Sequence, residues 1–521
     1  MRIQLADSLE FPFPDPGPGP VWGPPAELDV PRGGIVAVHV RVEGASRGTH
    51  RLEVREGGRR VAAARWFRLV AVPVEANTGP VVFTETRKSG RNPHVIRRAP
   101  FRVFDAMEPA GDALEARERV EVLRLHVPVA PDARPGVRVL DLAVGDALPA
   151  RVAVRVHAAV VRPSGPDSFP YTNWFDVPAM AARHGLKVWS AAHWTMIGRY
   201  AALMRHARQN VFWVPLHLVF ARRDGVPVLD RARLVRFVDL FTRAGLHTIE
   251  GGHVAVRSGG WGATGFSVVL GGPPASSAAG DLELRRILGQ LREVIDGQGW
   301  RGRWLQHVAD EPQPALAADY RIVTGMVRKY LPGIPILDAT EDPGLAGSVD
   351  IWCPKANAYQ QHRPFFAAAR AAGDRVWFYT CCEPGGRWLN RLLDMELLRP
   401  ALFGWGAARY GLDGFLHWGL NHWSKGQDPF RKSVVEAWAG ACLPAGDTHI
   451  VYPGTGGPWS SLRLEAQREG FEDLEFLRRL GARHPAAVRR ILRPVLTSFD
   501  RYTTDLAVFR RGRRALLRAV S

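Results

Sequence analysis

From about residue 33 to 160 the chain alternates apolar and polar residues with a period of two. The runs include GIVAVHVRVEG, HRLEVREG and ARVAVRVHAAVV, each closed by a short turn. A strand of this kind offers one face to a core and one to water, so the pattern predicts an antiparallel β-sandwich over 33–162. Within it, VPVAPDARPGVRVLDLAVGD reads as an edge strand, a Pro-Gly turn and a return strand. Residues 1–32, with FPFPDPGPGPVWGPP, show no helical period and read as an extended Pro/Gly-rich arm.

Near residue 165 the rhythm changes to short apolar runs alternating with amphipathic helical stretches. Eight runs read as strands: YTNWF (171–175), NVFWVPLH (210–217), HTIEGGH (247–253), RWLQHVAD (303–310), IPILDA (334–339), VDIWCPK (349–355), RVWFYTCCE (375–383) and GFLHWGLN (414–421). Helices between them are predicted from SAAHWTMIGRYAALMRHAR, DRARLVRFVDLFTRAG, DLELRRILGQLREVIDGQ, ALAADYRIVTGMVRKYL and RPFFAAARAAG. Strand–helix alternation at this count predicts an α/β fold, a (β/α)8 TIM-like barrel over 163–430. Residues 431–521 read as a mostly helical extension packed on the barrel. There KSVVEAWAG is expected to be helical, and SLRLEAQREGFEDLEFL gathers its charges on one face, as solvated or interdomain helices do.

Composition narrows the function classes. The 521 residues are 46% hydrophobic and 23% charged, the balance of a folded protein with a sizeable core. No apolar run is long enough for a membrane span, and the first residues lack a charged-then-apolar leader, so a cytoplasmic protein without a membrane partner is expected. The net charge of +18 would suit nucleic acid, but 63 of the 69 basic residues are arginine and they are scattered. RRGRR at 510–514 is the densest run. Nucleic acid is therefore not the expected partner; a glycan, including an acidic one, fits better. Cys353, Cys381, Cys382 and Cys442 form neither a disulfide framework nor a zinc spacing.

In a barrel the chemistry gathers where strands end at the C-terminal face. Those ends carry Asn173 and Trp174, His217, Glu250 and His253, Asp310 and Glu311, Asp338 and Glu341, Lys355 and Asn357, Tyr379 and Glu383, then His417, Trp418, Asn421, His422 and Trp423. Indole faces stack on sugar rings while fixed polar groups bond hydroxyls. Tyr379, Trp418, Asn421, Trp423, His253, Lys355 and Asn173 are the candidate substrate-binding residues. His253 and His307 equally read as satisfied core histidines. The adjacent carboxyls of Asp310 and Glu311, followed by Pro312, are the candidate catalytic pair. Glycosidases use two carboxyl groups, and with a 2-acetamido sugar the amide oxygen itself attacks the anomeric carbon while one carboxyl orients it. Burial and a like-charged neighbour would then raise the Glu311 acid. The pair could alternatively cap the next helix.

These stretches resemble a known family. HWTMIGRYAALMRHARQNVFWVP (193–215), WLQHVADEP (304–312), DIWCPK (350–355), WFYTCCEPGG (377–386), GFLHWGLNHW (414–423) and SLRLEAQREGFEDLEFL (461–477) are similar to proteins with the domain of unknown function 4091, which overlaps glycoside hydrolase family 123. The resemblance implies a retaining β-N-acetylgalactosaminidase acting by substrate assistance, with no metal or organic cofactor. Asp310 would orient the acetamide, Glu311 would serve as general acid/base, and Tyr379 is the candidate aromatic hydroxyl holding the acetamide. Two other readings stay open: a glycosidase of different sugar preference with Glu250 or Glu383 as nucleophile, and a non-catalytic carbohydrate-binding protein.

Overall fold

A computed structural model describes residues 1–15, 19–23, 27–438 and 440–521. The alternating runs pack as two sheets around a core that includes Val38, Val40, Leu52, Leu123, Leu125, Leu142 and Val154. One sheet runs in the order Arg2–Asp7, Ile35–Glu43, Val120–Pro128, Arg65–Val74, Phe101–Gly111. The other contains Leu28–Arg32, Ala150–Val160, Gly136–Val144 and Gly48–Glu56. Two stretches of the Pro/Gly-rich segment are therefore strands: Arg2–Asp7 pairs with Ile35–Glu43, and Leu28–Arg32 runs parallel to Ala150–Val160. The Pro-Gly segment near Gly136 does not close a hairpin. Val120–Pro128 and Gly136–Val144 lie in different sheets, each turning its apolar face into the shared core.

The central part contains β1 (Tyr171–Asn173), β2 (Val211–Val214), β3 (Thr248–Gly251), β4 (Trp304–Gln306), β5 (Leu337–Asp338), β6 (Ile351–Trp352), β7 (Arg375–Tyr379) and β8 (Gly414–His417), one in each run read as a strand. They are almost wholly buried, as parallel strands covered on both faces must be. They form two parallel arcs, β5-β6-β7-β8-β1 and β2-β3-β4. At one seam Gln306 bridges to Ile336 in parallel; at the other the Asn210 amide donates to the Tyr171 carbonyl at 3.3 Å. The architecture is mixed α/β, with twelve α-helices among the described residues. Where the alternation predicts a single closed ring, the strands form two separate parallel arcs.

Beyond residue 430 the helix expected over KSVVEAWAG is instead a hairpin, Val435–Trp438 paired with Ala441–Leu443, the β-branched Val434 and Val435 favouring extended backbone. Gly457–Ser461 then pairs with Phe101–Gly111, so the chain returns to extend the N-terminal sheet. The next helix, Leu462–Arg483, is buried although highly charged, and of the two expectations for it the interdomain one holds. Arg463 reaches Asp105 of the sandwich at 3.0 Å, Arg468 spans Glu465 at 2.9 Å and Glu472 at 2.6 Å, and Asp473 holds Arg513 at 3.0 Å. A buried charge is tolerable only when paired in this way. Within the densest basic run, Arg510 pairs with Asp7 at 2.6 Å and Arg514 with Asp29 at 2.7 Å. Leu462–Arg483 crosses Leu398–Tyr410, a helix absent from the sequence-based assignments, at Gly470 and Gly404. A Cβ on either would collide with the other helix's carbonyls.

Candidate active site

Along an extended strand Asp310 and Glu311 would point to opposite faces. They do not, because β4 ends at Gln306, four residues before Asp310, and Glu311 has φ +44°, the left-handed region that non-glycine residues seldom enter. Such strain persists where surrounding structure fixes it. Arg257 supplies a clamp: its Nη2 donates to the main-chain oxygens of Asp310 at 2.6 Å and Glu311 at 3.0 Å. Neither carboxyl caps a helix; Gln313 and Leu316 occupy the following N-cap positions without side-chain bonds. The capping alternative therefore falls.

Both acids are half-buried. The Tyr379 hydroxyl donates to Glu311 Oε1. Burial, then the Glu311 charge, keeps this phenol far above its ordinary range, so it stays a donor. Among the described residues none donates a hydrogen bond to the Asp310 carboxyl. Burial first, and the negative charge of Glu311 second, raise Asp310 from 3.8 to about 7, against the opposing pull of Arg257 and His307. The upward shift thus falls on Asp310, a desolvated carboxyl that lacks a hydrogen-bond donor among the described residues. Two carboxyls so placed titrate as one unit and keep one proton between them.

Beneath the pair lies a buried ionic chain. His307, at the end of β4, places Nε2 2.7 Å from Glu250 Oε1 and Nδ1 2.8 Å from Asp338 Oδ1, and all three are sealed from water. Burial alone would lower His307, but its bonds to Asp338 and Glu250 and their charges raise it to about 9, so it is an imidazolium. Glu250 also accepts from Thr172 Oγ1 at 2.7 Å and from the Trp174 indole at 2.8 Å. His253, His307 and Asp338 offer ligand atoms within 4.8 Å of one another, a metal-like grouping. With both His307 nitrogens turned to carboxylates, the grouping reads as an ion-paired floor rather than a metal centre. His253 rests on the stacked Trp174 and Trp213, 5.3 and 5.1 Å from their centroids, with a buried Nε2 that has no partner among the described residues.

On the other side of Glu311, Lys355 pairs with Glu383 at 2.9 Å and with Glu341 at 3.6 Å, and Asn357 donates to Glu383 at 3.1 Å. The structure therefore brings Asp310, Glu311, Tyr379 and Lys355 together, with His253 in the aromatic floor. Trp418 is half-buried and bonds Asp447 at 3.2 Å; Trp423 is buried. Asn173 and Asn421 lie behind the wall, a correction to their candidate role. Asn173 accepts from Arg391 at 2.7 Å and donates to Tyr171, while Asn421 holds both main-chain atoms of Asp176 at 2.9 Å. Sequence reasoning missed Arg257 and Trp213, for which spacing offers no signal: one is a scattered arginine, the other part of a continuous apolar run.

Residues 275–480 match the family model described as "Glycoside hydrolase 123, catalytic domain". This segment of the chain matches the glycoside hydrolase family 123 catalytic domain. The protein is thus a glycosidase, and the family 123 match spans β4 to β8 with the acidic pair and Tyr379 inside it. Among solved structures, a family 123 glycoside hydrolase from Clostridium perfringens, analysed for glycolipid glycan hydrolysis, superposes with TM-score 0.72. The likeness covers 99% of this chain and 96% of that one at 11% identity, which shows a shared fold. Two β-galactosidases are remote, both at TM-score 0.38: one from Marinomonas ef1 at 9% identity, covering 61% of each chain, and one from Rahnella sp. R3 at 10%, covering 62% of this chain and 58% of that one. Among curated proteins no sequence matches this chain.

Proposed function

We propose that the protein is an exo-acting, retaining glycosidase for terminal β-linked N-acetylhexosamine, with N-acetylgalactosamine favoured. The observation that carries this is a carboxyl without a donor, Asp310, beside an acid held by a tyrosine, Glu311. A 2-acetamido group presents an N–H, which Asp310 is placed to accept. That bond favours Asp310 as carboxylate and leaves the pair's proton on Glu311, ready for the leaving-group oxygen. The acetamide oxygen attacks the anomeric carbon, the aglycone departs with the proton, and Asp310 supports the charge growing on the cyclised amide. Glu311 then takes a proton from water as the ring opens. Tyr379 serves Glu311 rather than the acetamide, keeping its carboxyl oriented.

The separate-nucleophile reading is weaker. Glu250 is sealed and has both oxygens bonded, and Glu383 has both oxygens on Lys355 and Asn357. The same proposal takes the two parallel arcs as one opened (β/α)8 barrel, supported by the contacts at both seams. The structural likeness to the Clostridium perfringens enzyme, analysed for glycolipid glycan hydrolysis, supports a glycan chain as the natural substrate class. The test is nitrophenol release from the 2-acetamido β-galactoside and from the parent β-galactoside. The expected result is turnover of the first and little of the second, with added azide restoring turnover in Glu311→Ala. Equal turnover of both substrates refutes substrate assistance.

A further inference from the structure

Between β3 and β4 the chain makes a hairpin, Ala255–Arg257 paired with Phe266–Val268, whose tip reads SGGWGATG. Most tryptophans here are interior; Trp304, Trp352, Trp377 and Trp405 are fully buried. Trp261 at this tip is 48% exposed. It is not adrift, because the Arg257 guanidinium carbon sits 3.8 Å from its ring centroid. That same guanidinium clamps the main chain of Asp310 and Glu311. One guanidinium therefore separates the catalytic pair's backbone from a half-open indole. Gly259 and Gly260 at positive φ, and Gly262 after it, flank the ring with residues that carry no side chain.

Resting on the glycosidase reading above, we infer that Trp261 is the stacking platform for the leaving-group side of the glycan, the neutral sugar ring joined to the scissile oxygen. An exo-acting site encloses one sugar around Asp310 and Glu311, and the rest of the chain must leave at the rim. An aromatic plane fixed at that rim is what the apolar face of a pyranose requires. The remaining alternative is that the indole only shields Arg257. In that case its loss would disturb the clamp and slow every substrate alike.

The experiment compares Trp261→Ala and Trp261→Phe with the parent enzyme on four substrates. These are a methyl glycoside and a hexose-linked disaccharide of the 2-acetamido β-galactosyl unit, and the same two compounds without the acetamide. For Trp261→Ala the expected result is a fall in kcat/KM on the disaccharide of roughly tenfold, the factor that about 1.4 kcal/mol of stacking supplies, carried mainly by KM. The methyl glycoside, too small to reach the platform, should change less than about twofold, and Trp261→Phe should recover most of the loss. An equal loss on both sizes, or no loss on the disaccharide, overturns the platform. If turnover ignores the acetamide, the substrate-assisted reading fails while the disaccharide-to-methyl ratio still judges Trp261. No turnover of any of the four counts against both.

Discussion

Replacing Asp310 with asparagine removes one of the two carboxyls that share a proton, and the size of the effect follows from the site. In the parent, burial and the Glu311 charge lift Asp310 from 3.8 to about 7. The working form carries one proton on the pair, so kcat/KM should fall as pH rises through about 7. At that pH the parent pair keeps its proton about half the time. An isolated glutamic acid titrates near 4.3 and is protonated at pH 7 only about one time in 500. Losing the neighbour therefore lowers the supply of acid at pH 7 roughly two hundredfold. A loss of about 10²–10³ that does not vary with pH adds to this, since the acetamide is no longer oriented by a charge. The assay is nitrophenol release from the 2-acetamido β-galactoside between pH 4 and 8. Asp310→Asn should show its descending limb displaced to acid pH, and its deficit relative to the parent should shrink steadily on acidification. A limb that stays near pH 7, or a deficit that is flat with pH, refutes the shared proton.

His307→Gln strips the cation from between Glu250 and Asp338 and should cost about 3–5 kcal/mol in urea unfolding at pH 7. In the parent, His307 is raised from 6.5 to about 9, so its stabilising contribution is complete below 6.5 and lost as pH rises through about 9. A parent urea midpoint that holds steady from pH 7 to 10 contradicts this. Gly470→Ala drives a methyl into the Ala401 carbonyl and should lower stability by about 1–3 kcal/mol; an unchanged melting temperature would show that the two helices separate freely.

The strands were legible because parallel β runs are short, apolar and separated by helices of clear period, and each of the eight lies inside its run. The acidic pair was legible because two adjacent carboxyls at the end of an apolar run are costly without a use. Local pattern failed where distant partners decide. The charges of Leu462–Arg483 look solvated along the chain, yet Asp105, His206 and Arg513 partner them from elsewhere. Asn173 and Asn421 sit at strand ends as sugar-binding amides would, but Arg391 and the Asp176 backbone claim them. The raised Asp310 carboxyl was not legible either, because its burial is set by the folded surroundings.

The return of Gly457–Ser461 to the edge of the first sheet, followed at once by the Arg463–Asp105 tie, makes the end of the polypeptide a keystone for its beginning. The catalytic portion consequently cannot be excised as a transplantable cassette. A fragment stopping short of residue 457 would bare the sheet edge at Ala106 and Met107 and take the Arg463 partner away from the buried Asp105. Any recombinant shuffling of this scaffold has to carry the front and the tail together.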